Sequence, residues 1–181
     1  MLDKLNLEGK TIVVTGGGSG LGKAMSLALA EAGADVVVAA RRQNLIDETA
    51  SEIQNIGRRS LAIATDVTDS KQIENLFSIV RKEFGKIDVL INNAGIVRGQ
   101  TPKPIWEITD EEWREGIDVN LSSTFYCSRA VAQEMIERGS GKIINVASGL
   151  GFRGANNNYM YGAAKGGVVN LTRVLTNSLS R

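Results

Sequence analysis

Tyr161 and Lys165 stand four residues apart at the start of an apolar-periodic stretch carrying Val168, Val169, Leu171, Val174 and Leu175. On a helix, that spacing sets a phenol and an ammonium on one face. A free tyrosine titrates near pH 10 and moves protons poorly at neutrality, but an adjacent cation favours the phenolate and lowers the value. A drop of roughly three units takes about 4 kcal/mol, within reach of one well-placed ammonium and a second positive charge. Ser148 ends the apolar run 143–147 upstream and can add a hydroxyl to the same place. A tuned phenol beside a hydroxyl donor is equipment for moving a proton at an alcohol or carbonyl. Tyr159 is the rival phenol, but it lies six residues from Lys165 and off the shared face.

The elements that must position these groups are short apolar runs alternating with amphipathic stretches. Lys10 to Thr15 is β-branched and breaks into Gly16-Gly17-Gly18-Ser19-Gly20-Leu21-Gly22; a helix then runs to Gly33. Strands are expected at 36–40, 61–64, 87–91 and 142–146, with helices at 45–56 and from Asp69 or Ser70 to Gly85, and one long helix over 110–138. Apolar strands without polar alternation, separated by helices, indicate βαβ units and a parallel sheet covered on both faces. The expectation is an α/β, Rossmann-like, doubly wound parallel sheet of five strands in a single domain over 1–181. Ligands in such sheets sit at the carboxyl ends of the strands, near the switch in strand order.

Those strand ends are chemically unusual. A glycine turn between strand and helix lets backbone N–H groups and the helix N-terminus face a diphosphate. The spacing is G-x-x-x-G-x-G, at Gly16, Gly20 and Gly22, and not the usual G-x-G-x-x-G. The second strand ends in Ala40, Arg41 and Arg42, where an acid would hold ribose hydroxyls and an arginine would accommodate a 2′-phosphate. This favours NADP, with NAD as the alternative. Asp66, after the third strand, suits either an adenine edge or a turn, and Asn92-Asn93-Ala94-Gly95 closes the fourth strand.

Composition narrows the classes. Lysine plus arginine (21) nearly balance aspartate plus glutamate (20), so no field invites nucleic acid or an anionic membrane. The absence of histidine argues against a zinc site and a Ser-His hydrolase, and no metal is expected. Cys127 lies in an apolar helical stretch and reads as packing. No apolar run approaches a membrane span, so a cytoplasmic protein is expected.

With these residues in hand, the chain resembles the short-chain dehydrogenase/reductase family along its whole length. The resemblance rests on 15–22, Asp66-Val67, 92–95, Asn120 in Val-Asn-Leu, Ser148, and Tyr161 with Lys165, in that order. It implies hydride transfer between a nicotinamide and a secondary alcohol or ketone. The implied catalytic group is Ser148, Tyr161, Lys165 and Asn120, with Asn120 positioning a water for Lys165. The implied cofactor wall is Gly16, Ser19, Gly20, Leu21, Gly22, Arg41, Arg42, Asp66, Val67, Asn93, Ala94 and Gly95, together with Tyr161 and Lys165. Sugar acids, polyols and 3-oxoacyl groups are the implied substrates. The loop 96–104 and the stretch 149–158 would line part of their pocket, where Arg98 and Arg153 read as surface charges, with contact to a substrate carboxylate as the alternative. A homodimer or homotetramer through the 110–138 and 159–181 helices is also implied. Ser19 stands where the NADP-preferring pattern often has a basic residue. Members of the family run on beyond the length seen here, so the chain reads as C-terminally truncated, lacking two strands and the substrate lid, with the fifth strand's edge exposed. The alternative reading is a module that binds NADP without turnover.

Overall fold

The strands are β-branched because they are buried on both faces. In the computed structural model, which describes residues 6–96 and 103–180, β1 (Thr11–Thr15), β2 (Asp35–Ala40), β3 (Ser60–Ala64), β4 (Val89–Asn92) and β5 (Lys142–Asn145) form one parallel sheet in the order β3-β2-β1-β4-β5. Alternate residues part to opposite sides: Val13, Val37, Ala39 and Leu90 enter one core, while Ile12, Val14, Val36, Val38 and Ile91 enter the other. The first core is closed by α3 (Ser70–Phe84) and α5 (Ser123–Glu137), through Ile73, Leu76, Phe77, Val80, Cys127 and Val131. The second is closed by α1 (Gly20–Glu31) and α2 (Gln43–Asn55), through Ala30, Ile46 and Ile53.

Helix ends follow local chemistry. Asp69 caps α3 by accepting from Lys71 N and Gln72 N, and Gly85 ends it with a left-handed φ of 79°. Thr109 and Glu112 form a reciprocal capping box on α4 (Asp110–Ile117).

The helix expected over 110–138 is not one α-helix. Between α4 and α5 the turn Asp118–Ser122 is π-helical, with Asn120 fully buried inside it. A π turn widens the hydrogen-bond ladder by one residue inside a continuous helical run, a change that residue type alone does not mark. Beside it packs α6 (Tyr159–Leu179), the helix of Tyr161 and Lys165. The approach is close: a Cβ on Gly116 would come within 2.5 Å of Met160 Cβ, and one on Gly167 within 2.7 Å of Leu121 Cδ2.

The chain winds outward from β1 to β3, then crosses back to β4 and β5, so the switch in strand order lies between β1 and β4. β5 is the sheet's outer strand, with Lys142 and Ile144 exposed. Among the described residues, no helix is long and apolar enough to cross a membrane.

Candidate active site

At the switch point the ends of β1 and β4 are clamped together. Thr15 Oγ1 accepts from the backbone N–H groups of Asn93 and Ala94, each at 3.1 Å, and Asn93 Nδ2 donates to Thr15 O at 3.0 Å and Gly16 O at 3.3 Å. Thr15 had not been singled out as a site residue. Its signal was a hydroxyl ending an apolar strand directly before a glycine turn.

The clamp leaves room for no side chain. A Cβ on Gly16 would meet Ala94 Cα and Asn93 Nδ2 at 2.9 Å, and one on Gly22 would lie 2.2 Å from Gly16 O. The glycines therefore allow backbone to lie on backbone, opening a cleft of about 680 Å³ above the N-terminus of α1. Its walls include Gly16, Ser19, Leu21, Gly22, Arg41, Arg42, Asp66, Val67, Asn93, Ala94 and Gly95, with Gly20 in the same turn at φ 53°. The N-terminus of α1 and the lack of Cβ atoms beside it fit a diphosphate, and lining drawn from the ends of β1, β2, β3 and β4 fits a dinucleotide.

The rim carries charge. Arg41 and Arg42 are exposed, and Arg42 Nη2 donates to Ser19 Oγ at 3.1 Å. Asp66 Oδ1 accepts from Thr68 N at 2.9 Å and Thr68 Oγ1 at 2.8 Å, so the turn-forming role is realised while the residue also lines the cleft.

Gly95 joins the cleft to α6. A Cβ there would lie 3.8 Å from Lys165 Nζ and 2.8 Å from Asn120 Oδ1. Lys165 is only 4% exposed, and its Nζ donates to the carbonyl of Val146, just past β5, at 2.7 Å. Nζ lies 5.8 Å from the centroid of the half-buried Tyr161 ring. Ser148 follows two residues after Val146 and heads the short 3₁₀ turn Gly149–Gly151, its Oγ accepting from Leu150 N at 3.2 Å. That turn lies directly on α6, where a Cβ on Gly151 would stand 2.7 Å from Lys165 O. Tyr159 is occupied elsewhere, donating to Asn157 Oδ1 at 3.1 Å.

Asn120 Oδ1 accepts from Ile96 N at 3.0 Å, and its Nδ2 donates to Ile96 O at 3.0 Å and Gly116 O at 2.9 Å. The side chain thereby ties the exit of β4 to the π turn.

Burial lowers the Lys165 pKa from its ordinary 10.5, because the ammonium is desolvated. With the folded value below the unfolded one, this burial costs stability at neutral pH, and the cost is relieved as pH rises towards 10.5. Thermal unfolding of the parent and Lys165→Met should therefore show the Tm difference moving in the parent's favour between about pH 7 and about pH 9.5. The expected change is a few degrees, since 1 kcal/mol moves Tm by about 2–4 °C at this size. Burial also pushes the Cys127 thiol up to about 12, so it packs and does not react.

Arg153 is exposed, beside a smaller hollow lined by Phe152, Asn158, Tyr159 and Gly162. Arg98, the other candidate for a substrate carboxylate, lies outside the described residues, as does most of the 96–104 loop. Among the described residues, no group of three or more histidine, cysteine, aspartate or glutamate side chains could hold a metal ion.

A glycine-lined cleft at the switch point of a doubly wound sheet, with the Lys165 ammonium behind its Gly95 wall and the Tyr161 ring 5.8 Å from that ammonium, is the arrangement of a dinucleotide-dependent oxidoreductase class. Residues 10–181 match the family described as short chain dehydrogenase. The chain is 37% identical over its whole length to 2-dehydro-3-deoxy-D-gluconate 5-dehydrogenase of Dickeya dadantii, covering 70% of that protein. It is 36% identical to the 3-oxoacyl-acyl-carrier-protein reductase FabG of Escherichia coli, over 97% of this chain and 70% of that one. Among solved structures, a short-chain type dehydrogenase/reductase from Mycobacterium marinum superposes with a TM-score of 0.92 at 35% identity, over 99% of this chain and 70% of that one. NAD+-bound xylitol dehydrogenase superposes with a TM-score of 0.91 at 29% identity, over 96% and 66%. The chain belongs to the short-chain dehydrogenase family, whose chemistry is nicotinamide dinucleotide-dependent interconversion of small-molecule alcohols and ketones.

Proposed function

We propose that this chain binds NADP across the ends of β1, β2 and β4 and interconverts a secondary alcohol and a ketone, of the sugar-acid or 3-oxoacyl kind, at Tyr161. The observation that carries the reading is the approach at Gly95, a cleft-wall glycine on which a Cβ would stand 3.8 Å from the Lys165 ammonium. The substrate class is supported by the relatives' names, a dehydrogenase of 2-dehydro-3-deoxy-D-gluconate and a 3-oxoacyl reductase.

When bound, the nicotinamide supplies or receives the hydride. Tyr161 Oη gives its proton to the developing alkoxide, or takes one from the alcohol in reverse, a role worth about 10²- to 10⁴-fold. Ser148 Oγ, held by accepting from Leu150 N, donates its own proton to the same oxygen; losing such a donor typically costs about 2.7–4 kcal/mol. Lys165 holds positive charge beside the Tyr161 ring and donates to the nicotinamide-side ribose, and Asn120 keeps the Gly95 wall in place. Homo-oligomer formation is part of the proposal, through exposed faces such as Phe125 with Arg129 stacked at 5.4 Å, as is a cytoplasmic location.

The preference for NADP is supported by Arg42, whose guanidinium reaches Ser19 and so brings positive charge to the position where a basic residue is missing from the turn. Fluorescence titration with NADPH and NADH, beside reduction of a panel of sugar-acid and 3-oxoacyl ketones, tests the proposal. Tight NADPH binding with turnover on at least one ketone is expected; binding without turnover across the panel overturns the catalytic reading. The double change Arg41→Ala/Arg42→Ala should weaken NADPH at least about tenfold, since a single charged hydrogen bond is worth roughly 1.5–3 kcal/mol, leaving NADH unchanged.

A further inference from the structure

Among the described residues β5 pairs with β4 alone, yet the carbonyl that receives Lys165 Nζ belongs to Val146, the first residue beyond it. The Val146 N–H donates to Asn92 O at 2.9 Å. The neighbouring side chain, Asn145, supplies the remaining ties. Its Oδ1 accepts from Asn92 Nδ2 of β4 at 2.9 Å, and its Nδ2 donates to Thr172 Oγ1 of α6 at 2.9 Å. Thr172 Oγ1 passes its own proton to Val168 O at 2.8 Å, and Asn92 Nδ2 also donates to Ser128 Oγ of α5 at 3.1 Å. Thr172 lies two turns beyond Lys165 on the same side of α6. One amide thus spans from the strand that presents the acceptor to the helix that presents the ammonium.

We propose that Asn145 is a positioning residue for Lys165, setting the separation between α6 and the Val146 carbonyl. The proposal rests on the reading of Lys165 as the group that meets the nicotinamide-side ribose. The amide meets both needs at once, an acceptor towards β4 and a donor towards α6, while leaving the Thr172 proton on Val168 O. An aspartate keeps the first and can hold the second only by drawing that proton away from Val168 O; an alanine loses both. Lys165 is buried, so an ammonium displaced from this carbonyl has little water to turn to. Misplacement by about 1 Å can cost on the order of 10²-fold in rate.

The test uses Thr172→Val, which removes the hydroxyl and nearly preserves shape, Thr172→Ser as the conservative rescue, Asn145→Asp, and Lys165→Met as the reference. Each is titrated with NADPH and, separately, with ADP, which carries the adenine and diphosphate but no nicotinamide nucleoside; kcat and KM follow for any ketone turned over. Thr172→Val and Asn145→Asp are expected to weaken NADPH about three- to tenfold and lower kcat about tenfold, with ADP affinity and KM unchanged and Thr172→Ser near the parent. A purely structural tie would move ADP and NADPH together, and that result overturns the proposal. NADPH affinity and kcat at the parent level in Thr172→Val, with Lys165→Met impaired, overturns it alone. Lys165→Met indistinguishable from the parent overturns the Lys165 reading and the proposal with it.

Discussion

Replacing Tyr161 by phenylalanine is expected to lower kcat by about 10²- to 10⁴-fold while leaving dinucleotide affinity and Tm unchanged. The substitution removes one oxygen and keeps the ring, and the helix under it is anchored by the buried Met160 and Ala164. No other phenol is placed to substitute. Tyr159 donates to Asn157 Oδ1, and Tyr126 lies on α5 against the first core. Steady-state ketone reduction, with dinucleotide titration and thermal unfolding as controls, measures the effect. Full turnover in Tyr161→Phe would remove the phenol from the mechanism.

Gly22→Ala should be nearly as damaging, by a different route. The added Cβ would lie 2.2 Å from Gly16 O, 2.6 Å from Asn93 Nδ2 and 2.8 Å from Gly16 C, where the obstacle is mostly backbone and cannot swing aside. The glycine turn must open, and with it go the Asn93 bonds that join β1 to β4. Overpacking of this kind typically costs about 1–3 kcal/mol, and dinucleotide affinity should fall by at least about tenfold, since the diphosphate cradle is the part displaced. Gly20 provides the contrast: a Cβ there meets nothing within 4 Å, and its φ of 53° is one that asparagine tolerates. Gly20→Asn should therefore lower the Tm only slightly, through its left-handed φ alone, while Gly22→Ala lowers it by several degrees. Equal effects in thermal unfolding and NADPH titration would mean that steric approach is not what the turn requires.

The parts of the molecule visible in its sequence were those governed by local pattern. The short apolar runs named all five strands to within two residues at the N-terminal ends, most plainly β1 and β2, where burial on both faces selects β-branched residues. The Tyr161 and Lys165 spacing placed both on α6, and the Gly16–Gly22 spacing announced the cleft. What stayed hidden depends on partners far apart in the chain. Thr15 meets residues almost eighty positions away, and Asn145 matters because Asn92 sits opposite it in register and Thr172 lies on another helix. The Arg42 contact with Ser19 was likewise invisible, although both residues had been named separately. The π turn stayed hidden because nothing between Asp110 and Arg138 marks where the hydrogen-bond ladder widens, and the backbone partners of the Asn120 amide cannot be read from spacing.

A crystal structure of the chain with bound dinucleotide tests the central claim most directly. The expected result places the diphosphate over Gly16–Gly22, the nicotinamide-side ribose within about 3 Å of Lys165 Nζ, and the nicotinamide facing Tyr161 Oη across a gap wide enough for one carbonyl group. A dinucleotide bound elsewhere, or bound in the cleft with its nicotinamide turned away from Tyr161 and Lys165, would contradict it.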